Sequence, residues 1–147
     1  MFNSIVVGTD GSATATQAVR EAVEVARAVG AKLELVSAYS PVSEQRLRAE
    51  KRDAPADVQW AGDPRTETEA LLSHAADLAR EAAVEVSTHA REGDPSDAIL
   101  DVAEEQNADL VVVGNKGMTG AKRFLLGSVP NKISHHAPCS VLIVRTT

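Results

Sequence analysis

Apolar residues along the chain recur in two alternating patterns, short β-branched runs and longer stretches with a helical period. The short runs predict five strands. The first, fourth and fifth are almost continuously apolar, which is typical of strands covered on both faces of a sheet. The second and third alternate more, which indicates that one of their faces is less completely covered. The predicted strands are Ser4–Thr9, Lys32–Tyr39, Val84–Ala90, Asp109–Gly114 and Ser140–Arg145.

Four helices are predicted between these strands. The first carries an apolar stripe and stops at Gly30, a residue type that favours helix ends. The third begins with Asp94 as a natural N-cap, followed by Pro95 at the first helical position. The predicted helices are Ser12–Val29, Thr66–Ala83, Asp94–Gln106 and Ser128–His136.

Strand and helix alternate along the chain, so the sequence predicts an α/β fold. Parallel strands joined by right-handed crossovers form a single doubly wound domain over residues 1–147, with helices on both faces. The expected sheet has five parallel strands in the order 3-2-1-4-5. The segment Ser40–Pro64 is the exception, because it is highly charged and holds few core candidates. A loop of this length is usually a functional flap or a disordered excursion.

Composition narrows the class of protein. The chain has 147 residues, of which 44% are hydrophobic and only 3% aromatic, so the core must consist of Val, Leu, Ile and Ala. Cys139 is the single cysteine, which excludes an intramolecular disulfide and favours an ordinary buried thiol. The chain does not open with a basic leader, and apolar stretches such as Leu110–Val113 are too short to cross a bilayer. We therefore expect a cytoplasmic protein without a membrane partner.

Charge is distributed unevenly along the chain. The net charge of −6 argues against nucleic acid as a partner. Between Leu110 and Thr147 there is no Asp or Glu, so all 21 acidic residues lie earlier in the chain. This short cationic region is a candidate seat for a small polyanion, and the alternative is a chance placement of bases at helix and strand ends. Its basic residues are Lys116, Lys122, Arg123, Lys132 and Arg145.

The residues beyond the first and fourth strands are the candidates for ligand binding. In a doubly wound sheet, ligands bind outside the carboxyl ends of the strands where the strand order reverses, here between those two strands. The first strand leads into Gly8-Thr9-Asp10-Gly11-Ser12. The fourth leads into Gly114-Asn115-Lys116-Gly117 and, nine residues later, into Gly127-Ser128.

Both segments after the fourth strand favour phosphate binding by the backbone. Gly114 and Gly117 permit a tight turn and a close approach of phosphate to bare N–H groups. Gly127 and Ser128 stand at a predicted helix start, where free amides and the helix dipole attract negative charge. Ser128 can also donate its hydroxyl. A glycine after a strand is usually only a turn, so the prediction depends on the two segments meeting in one crevice. Nearby residues that would add positive charge are Lys116, Lys122 and Arg123.

The spacing G-x2-G-x9-G-S, formed by Gly114, Gly117, Gly127 and Ser128, resembles the ATP-binding signature of universal stress proteins. The opening IVVGTDGS, the Gly93-Asp94-Pro95 before the third helix and the closing GSVPNKISHHAPCSVLIVR are similar to the same family. The resemblance covers nearly the whole chain except Ser40–Pro64. It implies a stress-response regulatory protein that binds an adenine nucleotide, ATP or cyclic AMP, with Mg²⁺ as a candidate companion ion.

The resemblance also implies a set of site residues. In ATP-binding members the aspartate after the first strand lies against the nucleoside and sometimes a metal, which points to Asp10. The end of the second strand supplies backbone contacts to adenine, which points to Ala38. Members typically form homodimers through the last strand, here Ser140–Arg145. The residues implied around ribose and phosphates are Gly114, Lys116, Gly117, Met118, Gly127, Ser128 and Val129.

One departure from the family pattern bears on the ligand. Many members have His-Arg or Ser-Arg between the first two glycines, whereas this chain has Asn115-Lys116. Lysine keeps the charge of arginine but not its planar fork, so a bidentate phosphate contact is lost. With Gly-Ser-Val-Pro, this variant resembles a subgroup associated with cyclic AMP as well as ATP. The number of phosphates on the ligand is therefore left open.

Three functional hypotheses follow, of which a nucleotide-gated regulatory binder is preferred. Sequence signatures of hydrolytic nucleotide-binding loops, nucleophile elbows and zinc sites do not occur in the chain. The alternative is a weak ATPase or a self-phosphorylating switch, with Ser128 or Thr119 as the acceptor. The third hypothesis is an interaction dimer with an empty pocket, and the intact glycine motif argues against it.

Several polar residues also have simpler interpretations. Asp10 could be an ordinary N-cap of the first helix. His135 and His136 end a helix, where the dipole favours a cation, and this interpretation is preferred to a metal site. His74 and His89 are expected to be isolated.

Overall fold

A parallel β-sheet forms the centre of the fold. The computed structural model describes residues 1–41, 63–115 and 126–146. The strands are β1 (Ser4–Gly8), β2 (Lys32–Tyr39), β3 (Val86–Glu92), β4 (Leu110–Gly114) and β5 (Ser140–Val144). They lie in the order β3-β2-β1-β4-β5, and every neighbouring pair is parallel. The predicted doubly wound α/β fold and its strand order are confirmed.

Four helices connect the strands in the described ranges: α1 (Ala13–Val29), α2 (Pro64–Glu81), α3 (Pro95–Glu105) and α4 (Ser128–His136). Local chemistry explains their starts. Ser12 caps α1 by accepting a hydrogen bond from the Ala15 N–H at 3.2 Å. Asp63 and Asp94 cap α2 and α3 in the same manner, and each is followed by a proline at the first helical position.

Two predicted element starts differ from the structure by two residues each. Helix α2 begins at Pro64 rather than Thr66, because Asp63 supplies the cap inside the segment that we expected to be a loop. Strand β3 begins at Val86 rather than Val84 and continues to Glu92. Val84 is buried, but its N–H closes the end of α2 on the Ala79 carbonyl oxygen at 2.9 Å, so it belongs to the turn.

The core consists of two apolar layers, one on each face of the sheet. Helices α1 and α2 cover one face, with Ala18, Val19 and Leu72 among the buried residues. Helices α3 and α4 cover the other face, where Ile99 and Ile133 are buried. Small and β-branched side chains fill both layers, as the low aromatic content predicts. No helix within the described ranges is long and apolar enough to span a membrane.

The burial of two strands differs from the prediction. Five consecutive residues of β2 are buried, including Glu34, which the sequence pattern assigned to a less covered face. Strand β5 was expected to be covered on both faces, yet Leu142 and Ile143 are 38% and 41% exposed. The reason is the strand order: β2 lies inside the sheet and β5 at its edge, where a single chain offers few neighbours.

Candidate functional site

The loop after β1 holds Asp10 at the carboxyl edge of the sheet. Thr9 is buried, and its N–H donates to the Val36 carbonyl oxygen at 2.9 Å, which ties the loop to β2. The Asp10 Oδ1 accepts from the Ser12 N–H at 2.9 Å. Because Ser12 is the N-cap of α1, the interpretation of Asp10 as that cap is wrong. Asp10 is exposed, and its carboxylate orders the loop rather than the helix.

Glycine at position 11 is required by the backbone of this loop. Gly11 has a φ of +82°, a conformation that side chains with a Cβ rarely adopt. Its N–H donates to the Thr9 Oγ1 at 3.1 Å. The turn therefore brings Asp10 and the first turn of α1 close to the end of β1.

Ala38 lies in the part of β2 that continues beyond the end of β1. The pairing of β1 with β2 stops at Gly8 opposite Val36. Backbone groups of β2 alternate in direction: the Val36 carbonyl oxygen accepts from Thr9 beside β1, whereas the Tyr39 carbonyl oxygen accepts from Gly93 beside β3. By this alternation the Ala38 N–H and C=O are directed toward the β1 side, above the end of that strand.

Gly114 ends β4 beside the last residues of the chain. It pairs with Val144 of β5. A Cβ added at Gly114 would lie 3.3 Å from the Thr146 Cγ2, tighter than ordinary van der Waals contact. Glycine at this position therefore permits a close approach of the chain end, which is a structural reason for the motif besides access to phosphate.

The start of α4 presents fewer free amides than the sequence indicated. Gly127 is the N-cap, with extended backbone and no side-chain cap. Its N–H donates to the Asn115 carbonyl oxygen at 3.0 Å and is not free. Pro130 in the first turn has no N–H. Within the described ranges, the groups of this turn that have no intrahelical partner and could face an anion are the N–H groups of Ser128 and Val129 and the hydroxyl of the exposed Ser128.

The structure brings part of the predicted site together in one cavity at the switch point. Gly8 at the end of β1, Gly114 at the end of β4 and Val129 at the start of α4 line it together with Thr146. The cavity volume is about 20 Å³, room for about one water molecule. A nucleotide is many times larger, so these residues account for only part of a nucleotide site. Asp10 and Ala38 lie at the same edge of the sheet but do not line this cavity.

Part of the predicted loop lies outside the described residues. This concerns three residues that the resemblance places around the ribose and phosphates, and three further candidates for phosphate donors or acceptors. They are Lys116, Gly117 and Met118, and Thr119, Lys122 and Arg123.

Two other predicted polar residues have partners elsewhere. Lys132 from the cationic region donates to the Asp97 carboxylate at 2.8 Å and lies 3.6 Å from Asp94, which connects α4 to the start of α3. The Asp97 hydrogen bond raises the pKa of Lys132. His89 is not isolated, since its Nε2 lies 2.7 Å from the Glu34 Oε2. His135 and His136 lie at the end of α4, and no cluster of metal-binding side chains occurs in the described ranges.

Sequence reasoning missed Asn115 and Thr146 as structural parts of the site. Asn115 entered the prediction only as half of a departure from a motif, and Thr146 did not enter it. The Asn115 Oδ1 accepts hydrogen bonds from the Thr146 N–H at 2.9 Å and from its hydroxyl at 3.0 Å. The only available signal was an asparagine directly after a buried strand, which is also common in simple turns.

Comparison with known proteins extends the likeness from single motifs to the whole chain. The Universal stress protein family profile matches residues 1–145. A universal stress protein of Mycobacterium tuberculosis is 39% identical over 147 residues, with 99% of this chain and 98% of that protein covered. A universal stress protein solved in complex with cAMP is 33% identical, with a TM-score of 0.73 and coverage of 99% and 98%. Another, from Archaeoglobus fulgidus in complex with dAMP, is 26% identical with a TM-score of 0.68 and 98% coverage of both chains.

These matches span both halves of the sheet as well as the glycine motif, and they agree with the strand order that the alternation of strands and helices predicts. The chain therefore belongs to the universal stress protein family.

Proposed function

We propose that this chain is a regulatory protein of the stress response that binds an adenine nucleotide. The observation that carries the proposal is the meeting of Gly114 and Val129 in one crevice at the sheet's switch point. Two phosphate-binding elements, each weak alone, converge there. Related proteins of the same fold were solved with cAMP and dAMP, which supports an adenine nucleotide as the ligand class.

Each part of the ligand has a proposed set of contacts. The backbone of Ala38 contacts adenine from the end of β2, and Asp10 lies against the nucleoside. Gly114 and the residues that follow it surround the ribose and phosphate, with Lys116 as the cation, and α4 contributes its first turn. The remaining residues of the proposed site are Gly117, Met118, Gly127, Ser128 and Val129.

We favour a ligand with one phosphate, such as cyclic AMP, over ATP. The first turn of α4 offers two N–H groups and one hydroxyl, because Gly127 donates to Asn115 and Pro130 has no N–H. Three donors suit a single phosphate, whereas a triphosphate needs additional donors or a metal. Asp10 alone supplies one carboxylate, so a Mg²⁺ ion in this crevice would be held mainly by nucleotide phosphates. Lys122 and Arg123 are the residues that would reverse this preference.

Ser128 gives the sharpest test of the proposed phosphate site. Its side chain is exposed at the first position of α4, so Ser128→Glu is compatible with the helix and places a carboxylate where the phosphate would lie. Two unit charges about 4 Å apart at an effective dielectric constant of about 20 repel by about 4 kcal/mol. Calorimetric titration with cyclic AMP should therefore show roughly a thousandfold weaker binding.

The matched control is Ser134→Glu, which adds the same charge on an exposed position of the same helix, away from its start. It should leave the dissociation constant within a factor of about two. Unchanged affinity in Ser128→Glu would refute the proposed site. Steady turnover of labelled ATP by the wild-type chain at stoichiometric concentration would favour the alternative, a weak ATPase or a self-phosphorylating switch.

We also propose that the chain forms a homodimer through β5. Leu142 and Ile143 are large apolar side chains that are exposed in the single chain. Strand β5 pairs with β4 on one side and lies at the edge of the sheet. An exposed apolar edge strand is an aggregation hazard, and two-fold pairing is the commonest way to cover it.

A further inference from the structure

Asn115 joins three segments of the chain that meet at the end of β4. Its N–H donates to the Val144 carbonyl oxygen of β5 at 2.9 Å, and its own carbonyl oxygen accepts from the Gly127 N–H at 3.0 Å. Its side-chain Oδ1 accepts from the N–H and the hydroxyl of Thr146 at 2.9 and 3.0 Å. Because a backbone N–H can only donate, the oxygen of the Asn115 carboxamide must be the atom that faces Thr146.

The bond to Gly127 connects the end of β4 to the start of α4. The Asn115 carbonyl oxygen accepts from the N–H of the α4 N-cap. The N–H groups of Ser128 and Val129 directly follow this anchored residue. The position of Asn115 therefore determines where those amides lie relative to β4.

Thr146 makes the chain end a wall of the same crevice. It is only 8% exposed, although it lies next to the C-terminal residue. Its Cγ2 lies against Gly114, and it lines the cavity together with Gly8 and Val129. The two hydrogen bonds to Asn115 fix the orientation of this residue against Gly114.

From this geometry we propose that Asn115 is a positioning residue of the nucleotide site and that Thr146, held by its carboxamide, forms a wall of the crevice. The inference rests on the proposed nucleotide-binding function. Asn115 acts through other groups: it orients the first turn of α4 by its backbone and the chain end by its side chain. The unusual Asn115 in the glycine motif is then explained by its bond to the chain end rather than by direct recognition of phosphate.

The test compares cyclic AMP and uncharged adenosine as probes in calorimetric titrations of matched variants. Asn115→Ala removes the acceptor for both Thr146 bonds and should weaken both probes about tenfold or more. Asn115→Asp retains an acceptor oxygen but adds a negative charge near the phosphate. It should therefore keep the wild-type affinity for adenosine and weaken cyclic AMP.

Thr146→Val retains the shape of the side chain and the backbone bond, and removes only the hydroxyl bond. It should weaken both probes by a few-fold, and adding it to Asn115→Ala should cause little further loss because the two residues act as a unit. Ala79→Gly, a buried change in α2, is the control for general destabilisation. It should lower the melting temperature without changing either affinity.

The outcomes separate the two proposals. A wild-type chain that binds neither probe overturns the proposed function, and the positioning role with it. Wild-type binding with unchanged affinities in Asn115→Ala overturns the positioning role alone. Equal weakening of adenosine by Asn115→Asp and Asn115→Ala also overturns it, because the acceptor oxygen would then be irrelevant.

Discussion

Glu34 is a charged residue in the interior of the sheet, and the hydrogen bonds around it predict a specific pattern of stabilities. Its side chain is 2% exposed, and its two carboxylate oxygens have separate partners. The Oε1 lies 3.2 Å from the Lys32 Nζ, and the Oε2 lies 2.7 Å from the His89 Nε2. The side chains of Lys32 and His89 are 35% and 15% exposed. Lys32 can therefore reach water if the carboxylate is removed, whereas His89 largely cannot.

The expected cost of Glu34→Leu follows from these exposures. Removing one partner of a buried charged pair typically costs about 3–5 kcal/mol when the other partner stays buried. Because Lys32 regains solvent and the new leucine buries apolar surface, we expect a cost just below this range, about 2–3 kcal/mol. His89→Leu removes the hydrogen-bond donor of the Glu34 Oε2 and leaves this buried acceptor unpaired, which costs about 1–3 kcal/mol.

The double variant distinguishes this explanation from a general intolerance of the site. When Glu34 and His89 are both replaced by leucine, no buried polar group of the pair is left unpaired. Replacing a buried polar pair by apolar residues of similar volume is often nearly neutral. We therefore expect the double variant to lie within about 1 kcal/mol of the wild type, with a coupling energy of about 2 kcal/mol or more.

Urea unfolding followed by circular dichroism measures these values in one double-mutant cycle. Similar slopes of the free energy of unfolding against urea in all four proteins would show that the denatured states are comparable. Additive losses, with a coupling energy below about 0.5 kcal/mol, would refute the reasoning. Leu72→Ala, a cavity-forming change on the other face of the sheet, is the control and should be additive with each single variant.

Three further predictions concern the dimer, the ligand and the thiol. Ile143→Lys should convert a β5-paired homodimer to a monomer in light scattering, because it places a charge on the exposed apolar edge. Ser134→Lys, which adds the same charge at an exposed position of α4, should keep the dimer mass. A folded Ile143→Lys that stays dimeric would exclude the β5 interface. In a competition titration cyclic AMP should bind at least as tightly as ATP, and a tenfold advantage of ATP with Mg²⁺, roughly 1.4 kcal/mol, would contradict the preference for one phosphate. Burial, and then the charge of Asp109, raise the pKa of Cys139, so at neutral pH less thiolate is present than in a free cysteine. Alkylation by iodoacetamide should be slower than that of glutathione at pH 7 and should accelerate as the pH rises, and equal rates at pH 7 would contradict the burial.

Much of the fold could be predicted from the sequence because its signals are local. Apolar runs and helical periods identified every strand and helix of the described ranges, and Asp94 with Pro95 marked the start of α3 correctly. The same signal at Asp63 and Pro64 lies at the end of a highly charged segment, for which the charge pattern predicts a loop. Val84 was assigned to a strand because its side chain is apolar, although a backbone bond to Ala79 makes it part of a turn.

In the candidate site, too, the features set by neighbouring residues could be predicted, whereas those set by distant segments could not. Gly114, Gly127 and Ser128 could be predicted, since glycine spacing and a helix start are properties of neighbouring residues. The number of free amides could not, because the Gly127 N–H is occupied by Asn115, which lies twelve positions earlier. For the same reason the role of Asp10 was predicted only in part: which residue caps α1 depends on the turn that Gly11 makes.

The sequence by itself determined the order of strands and helices, the parallel sheet and the edge of that sheet at which a ligand binds, because each follows from periodicity and from rules on connecting strands. Only the tertiary structure decided which polar residues lie inside and what they bind. Glu34 meets His89 across 55 positions, and Asn115 meets Thr146 across 31. A pattern of polar and apolar residues indicates which side chains can be buried without a partner. It does not identify a hydrogen-bond partner on a distant segment of the chain. Buried polar contacts of this kind depend on packing between distant segments.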